Sequence, residues 1–195
     1  MATRSAVPEA KIGAGAILHR VHVAGVSARW YGRKDATWRW DDPAGGYGIL
    51  YLGKSAVGPF AETLLRTPTD RHLLWEQVAR RRTAAFVTLR PIRLAKLHGP
   101  GLAWFLATTA DLAADFDPIT NPGAYIKPQQ LLAQINKETA LDGIQYRSRF
   151  DSDQFCIALF ERADAAITLR EEGVAIEKAW VKAILKPRGY RLIEF

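Results

Sequence analysis

Five side chains in this sequence are of types that could together act on a phosphorylated sugar: Arg20, Arg39, Tyr51, Glu62 and Ser148. Three of them fall within residues 37–66, TWRWDDPAGGYGILYLGKSAVGPFAETLLR. Arg39 stands between Trp38 and Trp40 and is followed by Asp41-Asp42-Pro43. A guanidinium packed among aromatics and braced by a carboxylate can hold a phosphate through two parallel hydrogen bonds. Tyr51 interrupts an aliphatic run, and its hydroxyl needs a partner if it is buried. Glu62 follows Pro59 by three positions, and a carboxylate there can oppose positive charge that develops on a reacting group. Arg20 sits inside ILHRVHV, and Ser148 lies between Arg147 and Arg149.

Each residue also has a plain structural account. Arg20 can be a solvated residue on an edge strand. Arg39 can form a salt bridge at a turn, Tyr51 can pack in the core, and Glu62 can complement a helix dipole. Ser148 can belong to a surface turn.

One motif in the same stretch misleads. Residues 48–55, GILYLGKS, satisfy G-x-x-x-x-G-K-[ST], the written form of an ATP-binding phosphate loop. That loop needs flexible backbone N–H groups curling around phosphates and running straight into a helix. Ile49, Leu50, Tyr51 and Leu52 suit a buried strand instead, and Gly58-Pro59 interrupts any helix starting at Lys54. Pro59 fits the first turn of a later helix, where its missing N–H costs nothing. Nucleotide-driven motor or kinase chemistry is not expected.

The elements that must position these residues are legible in outline. Strands are predicted over 17–23, 48–53, 84–89, 92–97, 143–146, 155–160, 165–169 and 190–195. Helices are predicted over 59–67, 71–82, 102–110, 129–139 and 174–185, with a loop over 115–125. Several strands come in succession without intervening helices, which predicts an α+β fold. No strand–GxGxxG–helix unit occurs, so a dinucleotide-binding parallel sheet is not expected.

Composition sets the outer limits. The 195 residues fit one domain over 1–195, with a core over about 17–160 and a C-terminal helix and strand over 174–195. Hydrophobic residues make up 48% of the chain, which describes a folded protein. The single cysteine, Cys156, lies in the apolar run FCIALF and reads as a buried structural thiol. His19, His22, His72 and His98 show no metal-ligand spacing, so no metal is expected. No apolar run approaches a membrane span, and charges interrupt the N-terminal residues where a signal peptide would be apolar. The cytoplasm is therefore the expected compartment. The formal charge of +7 includes one local run, Arg80-Arg81-Arg82, which would end the helix over 71–82. Solvated helix end, nucleic-acid groove, and attraction of an anionic small molecule or acidic protein all remain open for it.

On these residues the chain resembles the RES-domain family, named for an Arg, a Glu and a Ser. The family's strand carrying yR is matched by LHRV at Arg20, and its GRW/GRF-(N/D)-x-P element is similar to TWRWDDP at Arg39. Its vlYla-s strand followed by a-x-x-E resembles GILYLGKSAVGPFAETLL, which aligns Tyr51 and Glu62. Its Q-x-x-a…dGi-Y-x-S segment resembles PQQLLAQINKETALDGIQYRSR and points to Ser148. The chain departs from the pattern with Trp38 in place of a Gly, Val21 where some members have Tyr, and Arg147 where Pro is frequent. Either Arg20 or Arg39 fits the name-giving arginine.

The resemblance implies an ADP-ribosyltransferase-like fold of mixed sheets with flanking helices. It also implies a toxin of a bacterial toxin–antitoxin pair that destroys NAD by cleaving the nicotinamide–ribose bond. Inorganic phosphate or water would be the acceptor, no metal would be needed, and a cognate antitoxin would be the protein partner. Glu62, Arg39 and Ser148 would be catalytic, and Arg20 and Tyr51 would bind NAD. Two alternatives stay open: transfer of ADP-ribose onto a protein by the same site, and a nonenzymatic basic module that binds nucleic acid through residues 80–82.

Overall fold

The computed structural model describes residues 7–66, 70–113, 121 and 123–194. In chain order it has β1 (Glu9–Ile12), β2 (Ile17–Val23), β3 (Ile49–Gly53), α1 (Val57–Leu64), β4 (His72–Leu74), α2 (Trp75–Ala79), β5 (Arg81–Thr88) and β6 (Ile92–Leu97). There follow α3 (Pro100–Trp104), α4 (Thr109–Ala113), α5 (Ile126–Glu138), β7 (Gly143–Arg147), β8 (Phe155–Phe160), β9 (Ile167–Ala175), α6 (Lys178–Leu185) and β10 (Arg191–Ile193). Eight strands form one mixed sheet in the order β1-β6-β7-β8-β3-β2-β5-β9, while β10 pairs with β4 in a small parallel sheet. The fold is α+β, as the strand succession predicts.

The centre of the large sheet follows from sequence. β3 and β8 are apolar almost throughout and pair antiparallel from Ile49↔Phe160 to Gly53↔Cys156. Strands covered on both faces are expected to read as continuous apolar runs. One face collects Leu18, Leu50, Phe86, Leu94, Ile157 and Ile167. These come from strands near both ends of the sheet, so the sheet curls around them. α5 covers the opposite face with Leu132 and Ile135, against Trp40, Ile144 and Phe160. α1, α2 and α6 build a third cluster in which Phe60 meets Trp180 edge-to-face at 5.3 Å. Burial of such side chains contributes about 1.5–3 kcal/mol each.

The seam between β2 and β3 matters most for function. β2 pairs with β5 along its whole length, from Ile17↔Val87 to Val23↔Arg81. β2 and β3 meet at the single pair His19↔Gly53. Beyond that pair they part, and a cavity of about 270 Å³ is lined by residues of both strands, including Arg20, Val21, Tyr51 and Leu52. Gly53 sets the other wall. A side chain there would stand 2.4 Å from Pro59 Cδ, so the glycine lets α1 fold back closely onto β3.

Several sequence expectations need correction. The helix over 71–82 is instead a short strand, one helical turn and the start of β5. Leu74 and Val78 have helical spacing, but pairing with β2 draws Arg81 and Arg82 into the sheet. The helix over 102–110 is two short helices, α3 and α4, separated by Leu106 in the left-handed region at φ 54°. β9 runs to Ala175, so the C-terminal helix starts at Lys178 and not at 174. β1 has no counterpart among the predicted strands: its four residues, EAKI, lack a sustained alternation and are held by antiparallel pairing to β6. Most of the loop expected over 115–125, Thr67 at the end of the expected first helix, and Phe195 lie outside the described residues.

Candidate active site

Glu62 is the hub of the cavity. It lies in the second turn of α1, whose first turn carries no acidic residue, so a dipole-complementing role does not account for it. Its Oε2 accepts a hydrogen bond from Arg39 Nη2 at 2.8 Å. Its Oε1 accepts from Ser148 Oγ at 2.7 Å and from the Arg149 backbone N–H at 3.0 Å. Both oxygens are thus oriented from outside α1, and the carboxylate is held in one place before any ligand arrives.

Arg39 is buried against the other side of Glu62. Its Nη1 donates to the Leu112 carbonyl at 3.1 Å, and its guanidinium carbon lies 5.1 Å from the Trp40 ring centroid and 5.0 Å from that of Tyr146. Burial works to lower its pKa, yet the Glu62 charge and the neighbouring tyrosines hold it above the ordinary arginine value. The carboxylate that braces Arg39 is therefore Glu62 and not the adjacent aspartates. Asp41 accepts the Trp38 backbone N–H at 2.9 Å, and Asp42 accepts from Ala44 and Gly46 at 3.2 and 2.6 Å. The two aspartates shape the turn that delivers Arg39.

Tyr51 points from β3 into the same cavity. Its hydroxyl oxygen accepts the Trp40 N–H at 3.3 Å, and the Asp41 charge acts on it. Burial pushes the phenol well above its usual pKa, so it stays neutral. Ser148 is almost fully buried at the end of β7, where its backbone N–H bonds the Gln154 carbonyl at 3.0 Å.

Arg20 differs from the rest. It is 8% exposed on β2 and lines the cavity, and its Nε and Nη1 have no hydrogen-bond partner among the described residues. Burial lowers its pKa to about 10, with Tyr31 and Tyr51 offsetting part of the effect. It remains charged at neutral pH. A buried guanidinium with donors unmet is chemically suited to an anionic group.

The structure therefore brings Arg20, Arg39, Tyr51, Glu62 and Ser148 to one cavity or its wall. It adds Thr63 and Arg66 along α1 and its end and Trp30, which the sequence motifs do not single out, together with Tyr146 and Arg81. Pro59, Glu62, Thr63 and Arg66 are spaced as one helical face, a signal present in the sequence. Nothing local in the sequence marks the Leu112 carbonyl or the Arg149 N–H. The phosphate-loop reading of 48–55 is excluded: Gly48 N–H bonds Glu161, Ser55 Oγ bonds Gln154 at 2.6 Å, and strand β3 occupies the middle. Among the described residues, no helix is long and apolar enough to cross a membrane, and no cluster of His, Cys, Asp or Glu could hold a metal ion.

An arginine-clamped carboxylate in the split of a mixed α+β sheet defines a class of protein with one preorganised acidic centre beside a second, buried arginine. Comparison with protein families places the chain more narrowly. The RES domain matches residues 17–181, and the chain belongs to that family. A comparison with curated protein sequences finds no significant match. Among solved structures, the chain is similar to one in the crystal structure of the M. tuberculosis MbcT–MbcA toxin–antitoxin complex. That similarity has a TM-score of 0.65 at 13% identity and covers 90% of this chain and 92% of the other. At that identity the likeness is one of fold.

Proposed function

We propose that this chain is the toxin of a toxin–antitoxin pair and degrades NAD in the cytoplasm by cleaving its nicotinamide–ribose bond. The observation that carries this reading is the clamped Glu62 carboxylate in the same cavity as the unpartnered, buried Arg20. Membership of the RES family and the fold shared with a chain of a toxin–antitoxin complex support it.

The chemistry asks little of acids and bases. The bond between ribose C1 and the pyridinium nitrogen breaks with both electrons going to nitrogen, so nicotinamide leaves neutral and needs no proton. The ribose passes through an oxocarbenium-like state, and an acceptor oxygen then bonds to C1. Glu62 faces that developing positive charge and accepts hydrogen bonds from ribose hydroxyls. Arg39 and Ser148 hold the carboxylate in position. The donors of Arg39 already engaged on Glu62 and Leu112 leave the pyrophosphate of the substrate, or incoming phosphate, chiefly to Arg20. Tyr51, neutral and apolar over most of its surface, packs against the ribose or nicotinamide. With phosphate as acceptor the product is ADP-ribose 1-phosphate, and with water it is ADP-ribose.

Incubating the protein with NAD, with and without phosphate, and following nicotinamide and the ribose product by chromatography tests the reading. Nicotinamide release that rises with phosphate is expected. No release under either condition removes the proposal, and an ADP-ribose adduct on protein, seen by mass spectrometry, would replace it with protein modification. Ser148→Ala should lower kcat by about tenfold while costing about 1 kcal/mol of stability, since it removes one of the bonds to Glu62 Oε1 and leaves the Arg149 N–H in place. Stopped assays paired with thermal melts would measure both. A cognate antitoxin is the expected protein partner, detectable by loss of nicotinamide release when the two are co-purified.

A further inference from the structure

The arginine run at 80–82 takes no part in this chemistry, and the structure divides it. Arg80 ends α2 and pairs with Glu76. Arg82 Nη1 donates to the Ala79 and Arg81 carbonyls at 2.8 and 2.7 Å. Arg81, the first residue of β5, lines both the catalytic cavity and a second cavity of about 620 Å³. The two cavities share Thr63, Arg66 and Arg81 as a common wall. The Nε of Arg81 is buried without a hydrogen-bond partner among the described residues.

The charges around the second cavity leave a positive surplus. Its other ionisable lining groups are Arg80, His72, Asp70 and Tyr190. Asp70 is occupied by His72, accepting its backbone N–H at 3.1 Å and lying 2.9 Å from its Nδ1. Arg66 stacks over Trp38 at 5.0 Å and reaches the Tyr125 hydroxyl at 3.4 Å. Among the described residues no carboxylate pairs with Arg81, and burial and the Arg80 charge both lower its pKa. An unmet buried donor among like charges is the arrangement that a dianionic phosphate completes.

We propose that the second cavity is a phosphate subsite for the end of the dinucleotide remote from the cleaved bond, so that the chain takes a 2′-phosphorylated dinucleotide, NADP, in preference to NAD. The proposal rests on the cleavage reading above. With the nicotinamide ribose at Glu62 and the pyrophosphate at Arg20, the adenosine half extends past Thr63 and Arg66 along the shared wall. Its 2′ position then meets Arg80 and Arg81.

Steady-state kinetics of the full chain with NAD and NADP at fixed inorganic phosphate test it, alongside Arg80→Ala, because Arg80 lines the second cavity and not the first. KM for NADP is expected to be about tenfold below that for NAD. Arg80→Ala should raise the NADP value about tenfold with kcat unchanged and leave NAD turnover as it was. Equal KM values, or a variant that shifts both dinucleotides alike, overturn the proposal. A variant that changes only the dependence on inorganic phosphate also overturns it, since the subsite then serves the free ion. Calorimetric binding of AMP and adenosine 2′,5′-bisphosphate separates this inference from the cleavage reading. Tighter, Arg80-dependent binding of the bisphosphate supports the subsite even if neither dinucleotide is cleaved, and equal binding of the two overturns it.

Discussion

Glu62→Gln is expected to abolish nicotinamide release, lowering turnover by about 10²–10³-fold or more, while the chain still folds. The substitution keeps an oxygen that can accept from Ser148 and Arg149, so the geometry of the cavity wall survives. What disappears is the negative charge that faces the oxocarbenium-like ribose. The loss should fall on kcat more than on KM, because the interaction strengthens as positive charge develops. A second consequence follows from the pairing at 2.8 Å between Arg39 and Glu62. Arg39 would stay buried with its Leu112 and aromatic contacts but without a counter-charge, which destabilises by about 3 kcal/mol. Replacing Arg39 as well, by Met, should return part of that stability without returning any activity. Circular dichroism and thermal melts of the two variants and the wild-type chain, read beside their turnover, separate lost chemistry from lost fold. Undiminished NAD cleavage by a folded Glu62→Gln protein would show that the carboxylate is structural.

How much of this site the sequence discloses depends on whether a role is local or assembled. Residues 48–53 carry their answer in side-chain type: an aliphatic run between glycines is a central strand, whatever motif its letters spell. The faces of α1 are likewise local, so helical spacing alone groups Glu62, Thr63 and Arg66. The partner of Arg39 is not local. Two aspartates lie two and three positions after it in the chain, yet their carboxylates turn back on the backbone at Trp38, Ala44 and Gly46. A carboxylate 23 residues away takes the guanidinium instead. The same holds for Arg81, where helical spacing around Leu74 and Val78 suggests a helix end. Pairing of Val23 with Arg81 makes it a strand residue facing two cavities. Arg20 is intermediate. Its position inside an apolar strand allows either a wet edge or a cleft, and the choice is made by the parting of β2 and β3 beyond His19↔Gly53, a feature of sheet geometry with no signature in either strand.

Arg20→Met is expected to make the protein more stable and unable to hold its substrate. In the folded chain burial holds the guanidinium at about 10, well below the ordinary arginine value. A base whose folded pKa is depressed is penalised for carrying its charge, and that penalty is present at every pH below the folded value. It is relieved only as pH rises through about 10 towards the ordinary arginine value. At neutral pH the difference corresponds to about 3 kcal/mol, at about 1.4 kcal/mol per pKa unit. Methionine has a similar volume, a flexible unbranched stem and no charge, so it can fill most of the space without the desolvation cost. A rise in Tm of roughly 5–10 °C is the predicted outcome for a chain of this size. Ligand dependence should move the opposite way. ADP, which carries the pyrophosphate without the scissile bond, should raise the Tm of the wild-type chain by mass action and leave that of Arg20→Met unchanged. A residue kept at a cost to the fold, and compensated only when an anion arrives, is a binding residue. Should the variant instead melt lower and still respond to ADP, Arg20 would be part of the scaffold, and the anion site would have to be sought at Arg66 and Arg81.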